Sequence, residues 1–437
     1  MAEVRIPDVV EIAEAWTHLT LEKQIESFRS LTRDRREELF RELSAPEQVE
    51  LVLTMPDHER RSYVRALAPD DIADLIQEAP DDNRESLLEL LDEPGRGDIR
   101  ALLAYAEDAA GGLMNPRFAR LRPDMSVDEA IAYLRLQGRQ METIYYAYAL
   151  DGEQRLLGVV SFRDLFMTGG QVKIRDVMKS DVVTVSEHTD QEEVARLFGM
   201  HNLAAIPVLD GTSVMKGIVT VDDIVDVVQE EATEDMQKVG GMESLGAPYM
   251  ETSFWEMVRK RAGWLGVLFL GEMLTATAMS RYETEISRAV VLAVFIPLII
   301  SSGGNSGSQA STLIIRAMAL GELRLRDWWK VARREVISGF VLGCVLAAIG
   351  FLRIVIWQIV GSTYGEHYFL IAMTVSFSLI GVVMFGTVAG SMLPFLLRRA
   401  GLDPASASAP FVATMVDVTG LVIYFTVAHL VLRGTLL

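Results

Sequence analysis

Five apolar stretches, at about residues 262–280, 289–317, 336–360, 368–397 and 408–432, are each long enough to cross a bilayer. Hydrocarbon offers no water to complete a backbone hydrogen bond, so each stretch must fold as a helix that satisfies its own peptide groups. The loops between them set a direction. Arg259, Lys260 and Arg261 precede the first stretch; Arg316, Arg324, Arg326, Lys330, Arg333 and Arg334 cluster between the second and third; Arg398 and Arg399 separate the fourth from the fifth. Gly361 to His367 contains no Lys or Arg, and residues 281–288 balance Arg281 and Arg288 with Glu283 and Glu285. This alternation predicts a multi-pass protein of the cell inner or plasma membrane, its N-terminal half cytosolic and its C-terminus outside.

The second stretch is membrane-length but not uniformly apolar. From Pro297 to Ser311 it reads PLIISSGGNSGSQAS. Pro and Gly at membrane depth are tolerated where neighbouring protein or a water-filled path supplies partners, which fits a helix lining a polar path. Small residues also serve close helix packing. The loop charges run this helix from outside to inside, opposite to the helix carrying Asp417, and so favour the path. Of the ionisable residues in or near the spans, Arg353 and Glu366 lie near outer ends and can snorkel. Glu272 and Asp417 cannot easily do so, and an intramembrane carboxylate is a functional candidate. Around Asp417 the sequence PFVATMVDVTG (Pro410 to Gly420) supplies Ala413 one turn back, with Thr414, Thr419 and Gly420 nearby. One carboxylate per chain binds an ion weakly, whereas two copies at a dimer axis can hold a hydrated divalent cation. Mg²⁺ sheds water reluctantly and suits a wide site that contacts its waters.

The first 250 residues have a different chemistry. Residues 251–437 hold 15 Lys+Arg against 11 Asp+Glu, which leaves 26 against 49 before them. So acidic a half repels nucleic acid and attracts cations or basic partners. Residues 1–40 are charged and lack the apolar core of a cleavable leader. The single cysteine, Cys344, lies in an apolar stretch and excludes disulfides and a multi-Cys zinc site. Short units recur at APEQ (45–48), MPDH (55–58), APDD (68–71) and APDD (79–82). Each puts Pro at a plausible first helical position and acids in the first turn, where the helix dipole favours them. Leucine-rich runs follow, so residues 1–111 read as an all-α superhelix of short helices, or as an ordinary helical domain.

A second repeat spans 112–235 and alternates strand-like with helical runs. GVVSFRD (158–164) and GIVTVDD (217–223) match at an offset of 59 residues, and Met114 in GLMNP answers Met178 in DVMKS. This resembles an α/β tandem pair of CBS domains. The resemblance implies Ser161, Asp164, Thr220 and Asp223 as candidates for holding ATP or another adenine nucleotide, although the pattern also serves structure without any nucleotide. The stretch VDDIVDVVQEEATED, Val221 to Asp235, holds seven acids and no base. On a helix Asp223, Asp226, Glu230 and Glu234 share one face. Like charges at that spacing are each unfavourable by about 0.2–0.5 kcal/mol, and a hard cation such as Mg²⁺ or Ca²⁺ would remove the repulsion. Asp190, Glu192 and Glu193, and Asp70, Asp71 and Asp74, are further acids able to meet this face. The alternative is a solvated acidic surface. In residues 236–261, glycines and Pro248 suggest a break, after which Ser253 caps an amphipathic helix carrying Phe254, Trp255, Met257 and Val258. Residues 262–437 form the membrane part.

The motifs PLIISSGGNSGSQASTLIIRA (297–317), MLPFLLRRAGLDPA (392–405) and PFVATMVDVTGLVIY (410–424) resemble the MgtE family of magnesium channels, and GGLMNP, METIYY, TDQEEVARL and TVDDIVDVV match in order upstream. The resemblance implies a multi-domain membrane protein: a helical N domain, a tandem CBS pair, a connecting plug helix and a five-helix transmembrane domain, assembled as a homodimer with a pore at its interface. Carried over by position, Asp417 binds hydrated Mg²⁺ in the pore and Ala413, Gly303, Gly304 and Asn305 line it. Asp71, Asp190, Asp223, Asp226, Glu230, Glu234 and Asp235 are candidates for cytosolic Mg²⁺ sensing. Many members carry Asn before the Pro of the last helix where this chain has Ala409, and Glu272 stands where relatives commonly have a small residue.

These readings together predict a Mg²⁺-gated channel for Mg²⁺ influx, closed when cytosolic Mg²⁺ draws the acidic domains together. No Gly-x-x-x-x-Gly-Lys-Ser/Thr stretch is present to couple ATP hydrolysis to transport. A CBS-regulated secondary exchanger of divalent cations is the alternative. An intramembrane hydrolase using Asp417 and Glu272 lacks a paired catalytic motif, so the chain is not read as an enzyme.

Overall fold

The N-terminal helices begin where proline and acids direct them. The computed structural model describes residues 9–16, 19–138, 141–247, 249–250, 252–361 and 364–436. Pro248 lies outside them. Among the described residues, eight short helices come first: α1 (Val9–Trp16), α2 (Leu21–Ser30), α3 (Arg33–Glu42), α4 (Ala45–Leu53), α5 (Asp57–Val64), α6 (Pro69–Glu78), α7 (Asp81–Leu88) and α8 (Glu93–Leu102). The Glu47 carboxylate accepts from the Ser44 backbone N–H at 2.9 Å, and Asp71 accepts from that of Ala68 at 3.3 Å. In both cases a first-turn acid closes the helix start. Leu39, Phe40, Val52, Val64, Leu75 and Ile76 fill the core between these helices.

Two three-stranded sheets follow. In the first, β1 (Ala119–Leu121) runs parallel to β2 (Tyr146–Leu150), which pairs antiparallel with β3 (Leu156–Ser161). The second repeats that order with β4 (Val185–Ser186), β5 (Ala205–Leu209) and β6 (Met215–Thr220). Even the register shift recurs 59 residues on, at Ala149/Leu150 and Val208/Leu209. Helices α9 (Val127–Gln137), α10 (Phe162–Met167), α11 (Ile174–Val177) and α12 (Gln191–His201) complete the repeats.

The matched glycines and methionines have a shared cause. Asn115 bridges to Ile218 and Lys179 to Val159, so the lead-in of each repeat crosses to the last strand of the other. At the crossings a Cβ on Gly158 would meet the Lys179 carbonyl oxygen at 2.8 Å and the Met178 side chain, and one on Gly217 would meet the Asn115 carbonyl oxygen at 2.8 Å and the Met114 side chain. Only glycine admits the crossing backbone there.

Helix α13 (Val221–Val239) runs through the boundary expected at residue 235, and two units divide within it, residues 1–228 and 229–437. The second unit contains α14 (Phe254–Arg281), α15 (Glu283–Arg288), α16 (Val290–Ala319), α17 (Trp328–Gly361), α18 (Tyr368–Arg399) and α19 (Ala409–Leu432). Of these, α14, α16, α17, α18 and α19 are long and apolar enough to cross a membrane. Ser253 caps α14, its Oγ accepting from the Glu256 N–H at 3.3 Å. The helix then continues without a break into the first span, so the amphipathic connector is its opening turns.

Helix α16 is likewise unbroken despite Pro297 and its glycines. Those glycines do the packing. A Cβ on Gly303 would lie 2.5 Å from Val382 Cγ1 and 2.8 Å from Val416 Cγ1; one on Gly307 would meet Val412 and the Gly386 carbonyl oxygen. Lipid offers no hydrophobic drive for helix association, so close backbone approach through small residues holds α16 against α18 and α19. Substituting Leu for Gly303 should therefore lower unfolding stability in detergent micelles by about 1–3 kcal/mol or more. Gly266 of α14, whose Cβ position is open, should accept Ala with no measurable change in the same denaturation assay.

Candidate functional site

Acids gather in both units. In the first unit Asp70 is 6% exposed, and its Oδ1 accepts a hydrogen bond from Asn115 Nδ2 at 3.0 Å. The same amide nitrogen donates to Glu142 Oε2 at 2.8 Å. Burial pushes the Asp70 carboxyl well above the usual carboxylate range, and repulsion from Asp223, Asp71 and Glu142 adds to it. Asp74 is raised to about 7 by burial and then by Asp71, Asp223 and Glu107. Asp223 also reaches about 7 through burial, although the Thr220 hydroxyl donates to its Oδ2 at 2.8 Å and partly offsets the shift. Burial raises Asp71 and Glu142 as well, with Asp222 repelling both. Asp71 and Asp223, both predicted from the sequence, are thus brought together. Among the described residues no three acidic, His or Cys side chains converge closely enough to hold an ion directly. Hard carboxylate oxygens and an amide suit Mg²⁺ held through its waters.

The other predicted sensing residues lie elsewhere. Asp190 caps α12, its Oδ1 accepting from the Glu192 N–H at 2.9 Å. Asp226 and Glu230 are exposed on α13. Glu234 pairs with Lys238, whose Nζ also donates to Asp403 Oδ2 at 2.7 Å. Asp235 is half-buried and raised to about 6, first by burial and then by Asp403. Lys238 therefore ties the end of α13 to the loop before α19, where Val239 packs with Ile315, Ala405 and Ala407.

The nucleotide candidates form two matching turns. Ser161 Oγ donates to Asp164 Oδ2 at 2.7 Å and accepts from its backbone N–H; Thr220 Oγ1 bonds Asp223. Ser161 caps α10, while the Asp223 carboxylate accepts from the Thr220 hydroxyl at the start of α13.

In the membrane unit a Cβ on Gly304 would sit 3.4 Å from the Cβ of Ala413, so these two predicted residues are neighbours. Asn305 is exposed one turn from Ser301, its Nδ2 3.5 Å from that hydroxyl. Gly303 is buried where a Cβ would collide with Val382 of α18 and Val416 of α19, so it also serves helix packing. Asp417 is half-buried on α19, and the Glu272 side chain of α14 reaches it. Two adjacent carboxylates repel unless a cation or a shared proton lies between them.

Asn115, Glu142, Lys238 and Asp403 join these acids only through the folded structure. The first two lie in GLMNP and METIYY, and Asp403 lies in GLDPA. Those motifs were visible, but their meeting depends on tertiary structure.

Comparison with known proteins accords with these features. The chain matches the divalent cation transporter family MgtE over residues 296–427, the MgtE intracellular N domain over 8–108 and the CBS domain over 110–168 and 174–230. It is 40% identical to the magnesium transporter MgtE of Thermus thermophilus, over 84% of this chain and 80% of that protein. It is 34% identical to the magnesium transporter MgtE of Enterococcus faecalis, over 77% of this chain and 72% of that one. A crystal structure of the cytosolic domain of the Mg²⁺ channel MgtE in complex with ATP aligns with 51% of this chain and 90% of that one, at 37% identity and a TM-score of 0.49. The fold and site thus describe a membrane transporter with a helical intracellular domain and a CBS pair. The chain belongs to the MgtE family of magnesium transporters.

The carboxyl cluster makes the first unit sensitive to pH. Groups whose folded-state affinity for protons is raised stabilise the fold below their unfolded pKa, near 4, and lose that contribution as pH rises through about 7. In EDTA, the thermal midpoint of the N-terminal unit in the full-length protein should fall between pH 5 and pH 8. Millimolar Mg²⁺ should restore it more at pH 8 than at pH 5.

Proposed function

We propose that this protein is a homodimeric channel that carries Mg²⁺ into the cell down its electrochemical gradient and closes when cytosolic Mg²⁺ is high. The observation that carries the reading is Asp417, a half-buried carboxylate in a membrane-length helix with no ion pair to a base among the described residues. An uncompensated acid at that depth is retained where it meets a cation. Asp417 binds Mg²⁺ through its waters, with Ala413, Gly304 and Asn305 along the path and Gly303 allowing α16 to approach. A divalent ion gains about 4.6 kcal/mol per 100 mV on entry, enough to drive influx without ATP. The charge pattern of the loops supports cytosolic acidic domains and an external C-terminus.

Closure follows from charge. With little Mg²⁺, Asp71 and Asp223 repel their acidic neighbours; with more, hydrated ions bridge the carboxylates and hold the acidic elements together, a hold that a neutral side chain in their place does not supply. Asp190, Asp226, Glu230, Glu234 and Asp235 extend the cation-attracting surface. Adenine nucleotide, held by Ser161, Asp164, Thr220 and Asp223, would bias the same elements. Continuous α13, with residues in both units, and α14, whose opening turns form the plug, carry the change to the path.

Growth of a Mg²⁺-transport-deficient bacterium at low external Mg²⁺ tests the path. Wild-type protein should rescue growth, and Asp417→Ala and Asp417→Asn, expressed at equal levels, should not. Full rescue by Asp417→Ala would remove Asp417 from the ion path. Discrete single-channel steps in a bilayer would separate a channel from the slower exchanger.

A further inference from the structure

We propose that Glu272 is a specificity-determining residue that shares the ion site of Asp417, so that each chain offers the passing ion one carboxylate from α14 and one from α19. The inference deepens the proposed ion path and rests on it. Two contacts set the register of α14 on α19. Trp264 Nε1 donates to Ser408 Oγ at 3.2 Å, and Gly271 faces Thr414 so closely that a Cβ would collide with its methyl group. The next residue after Gly271 is Glu272, and this register brings it to Asp417. From Ala262 to Ser280 Glu272 is the sole ionisable residue, and its helix otherwise exposes Leu265, Phe269, Leu270, Met273 and Leu274. An acid on such a surface is out of place unless its charge is used. Glu272 is also the charged group that acts on Asp417 among the described residues; no basic side chain does.

The consequence is selectivity by charge. Coulomb attraction scales with the product of the charges, so a second carboxylate strengthens the hold on a divalent ion twice as much as on a monovalent one. Glu272 therefore raises affinity for Mg²⁺ and suppresses competition by Na⁺. Its carboxyl also sits on the first span, whereas Asp417 sits on the last, so the two-carboxylate site holds only while α14 and α19 keep their register.

Mg²⁺ uptake by full-length protein in proteoliposomes tests this, with external Mg²⁺ and Na⁺ varied for wild type, Glu272→Gln, Glu272→Asp and Asp417→Ala. Glu272→Gln should raise the half-saturating Mg²⁺ concentration by roughly tenfold, with a smaller change in maximal rate, and should admit competition by Na⁺. Glu272→Asp should retain most of the wild-type affinity. Wild-type half-saturation and Na⁺ insensitivity in Glu272→Gln would overturn the proposal, as would a loss confined to maximal rate. If Glu272→Gln does not elute as a folded species on size exclusion, Glu272→Ser is read by the same criteria. Wild-type uptake by Asp417→Ala would bring down the path itself. Loss in Asp417→Ala beside unaltered affinity in the Glu272 variants would bring down this inference alone.

Discussion

Carboxyl groups held close together in a buried setting, where their mutual repulsion outweighs the nearby Arg41 and Arg117, impose the main constraint on this protein. Asp70 and Glu142 share one amide, Asn115, while Asp71, Asp74 and Asp223 act on one another and on Asp70, and burial raises the proton affinity of all five. A fold optimised only for stability would pair such acids with Arg or replace them by apolar residues. Keeping them unpaired leaves two ways to relieve the repulsion, protons at low pH and cations at neutral pH. The second three-stranded sheet supports that cluster, because α6 and the start of α13 pack with it on one continuous apolar core.

The membrane unit meets a different problem with a related economy of charge. Its helices associate through glycine contacts, Gly303 and Gly307 against Gly386 and Val412, which need no polar groups. Polar side chains are thereby left for the exposed flank of α16 and for the meeting of Asp417 with Glu272. Where a charge is satisfied, it serves as a joint. Lys238 bridges Glu234 and Asp403 and so fastens the end of α13 beside the start of α19.

Much of this was legible in the sequence because its signals were periodic. The five apolar stretches, the proline-led helices and the repeat at 59 residues each follow from local rules that tertiary structure rarely overrides. Pro297 to Ser311 was harder. Its composition fits a polar path and helix packing alike, and the structure divides the stretch: Gly303 and Gly307 pack, while Ser301 and Asn305 occupy the open flank. The acidic face of α13 was visible as a spacing, yet the partners of Asp223 were not. Asp71, which repels it, lies about 150 residues before it, and helical periodicity carries no information about contacts at that range. Lys238 lies three residues past the acidic run, so its pairing with Glu234 was hidden by where the run appeared to end.

The central claim is that cation binding to unpaired cytosolic carboxylates closes the path. It is tested most directly by recording Mg²⁺ currents from the purified protein in a bilayer while Mg²⁺ on the side of the acidic domains is raised from micromolar to millimolar. Wild-type currents should close over that range, and a chain carrying Asp74→Asn and Asp223→Asn should stay open at millimolar Mg²⁺. Closure of the double variant at the wild-type concentration would contradict the account.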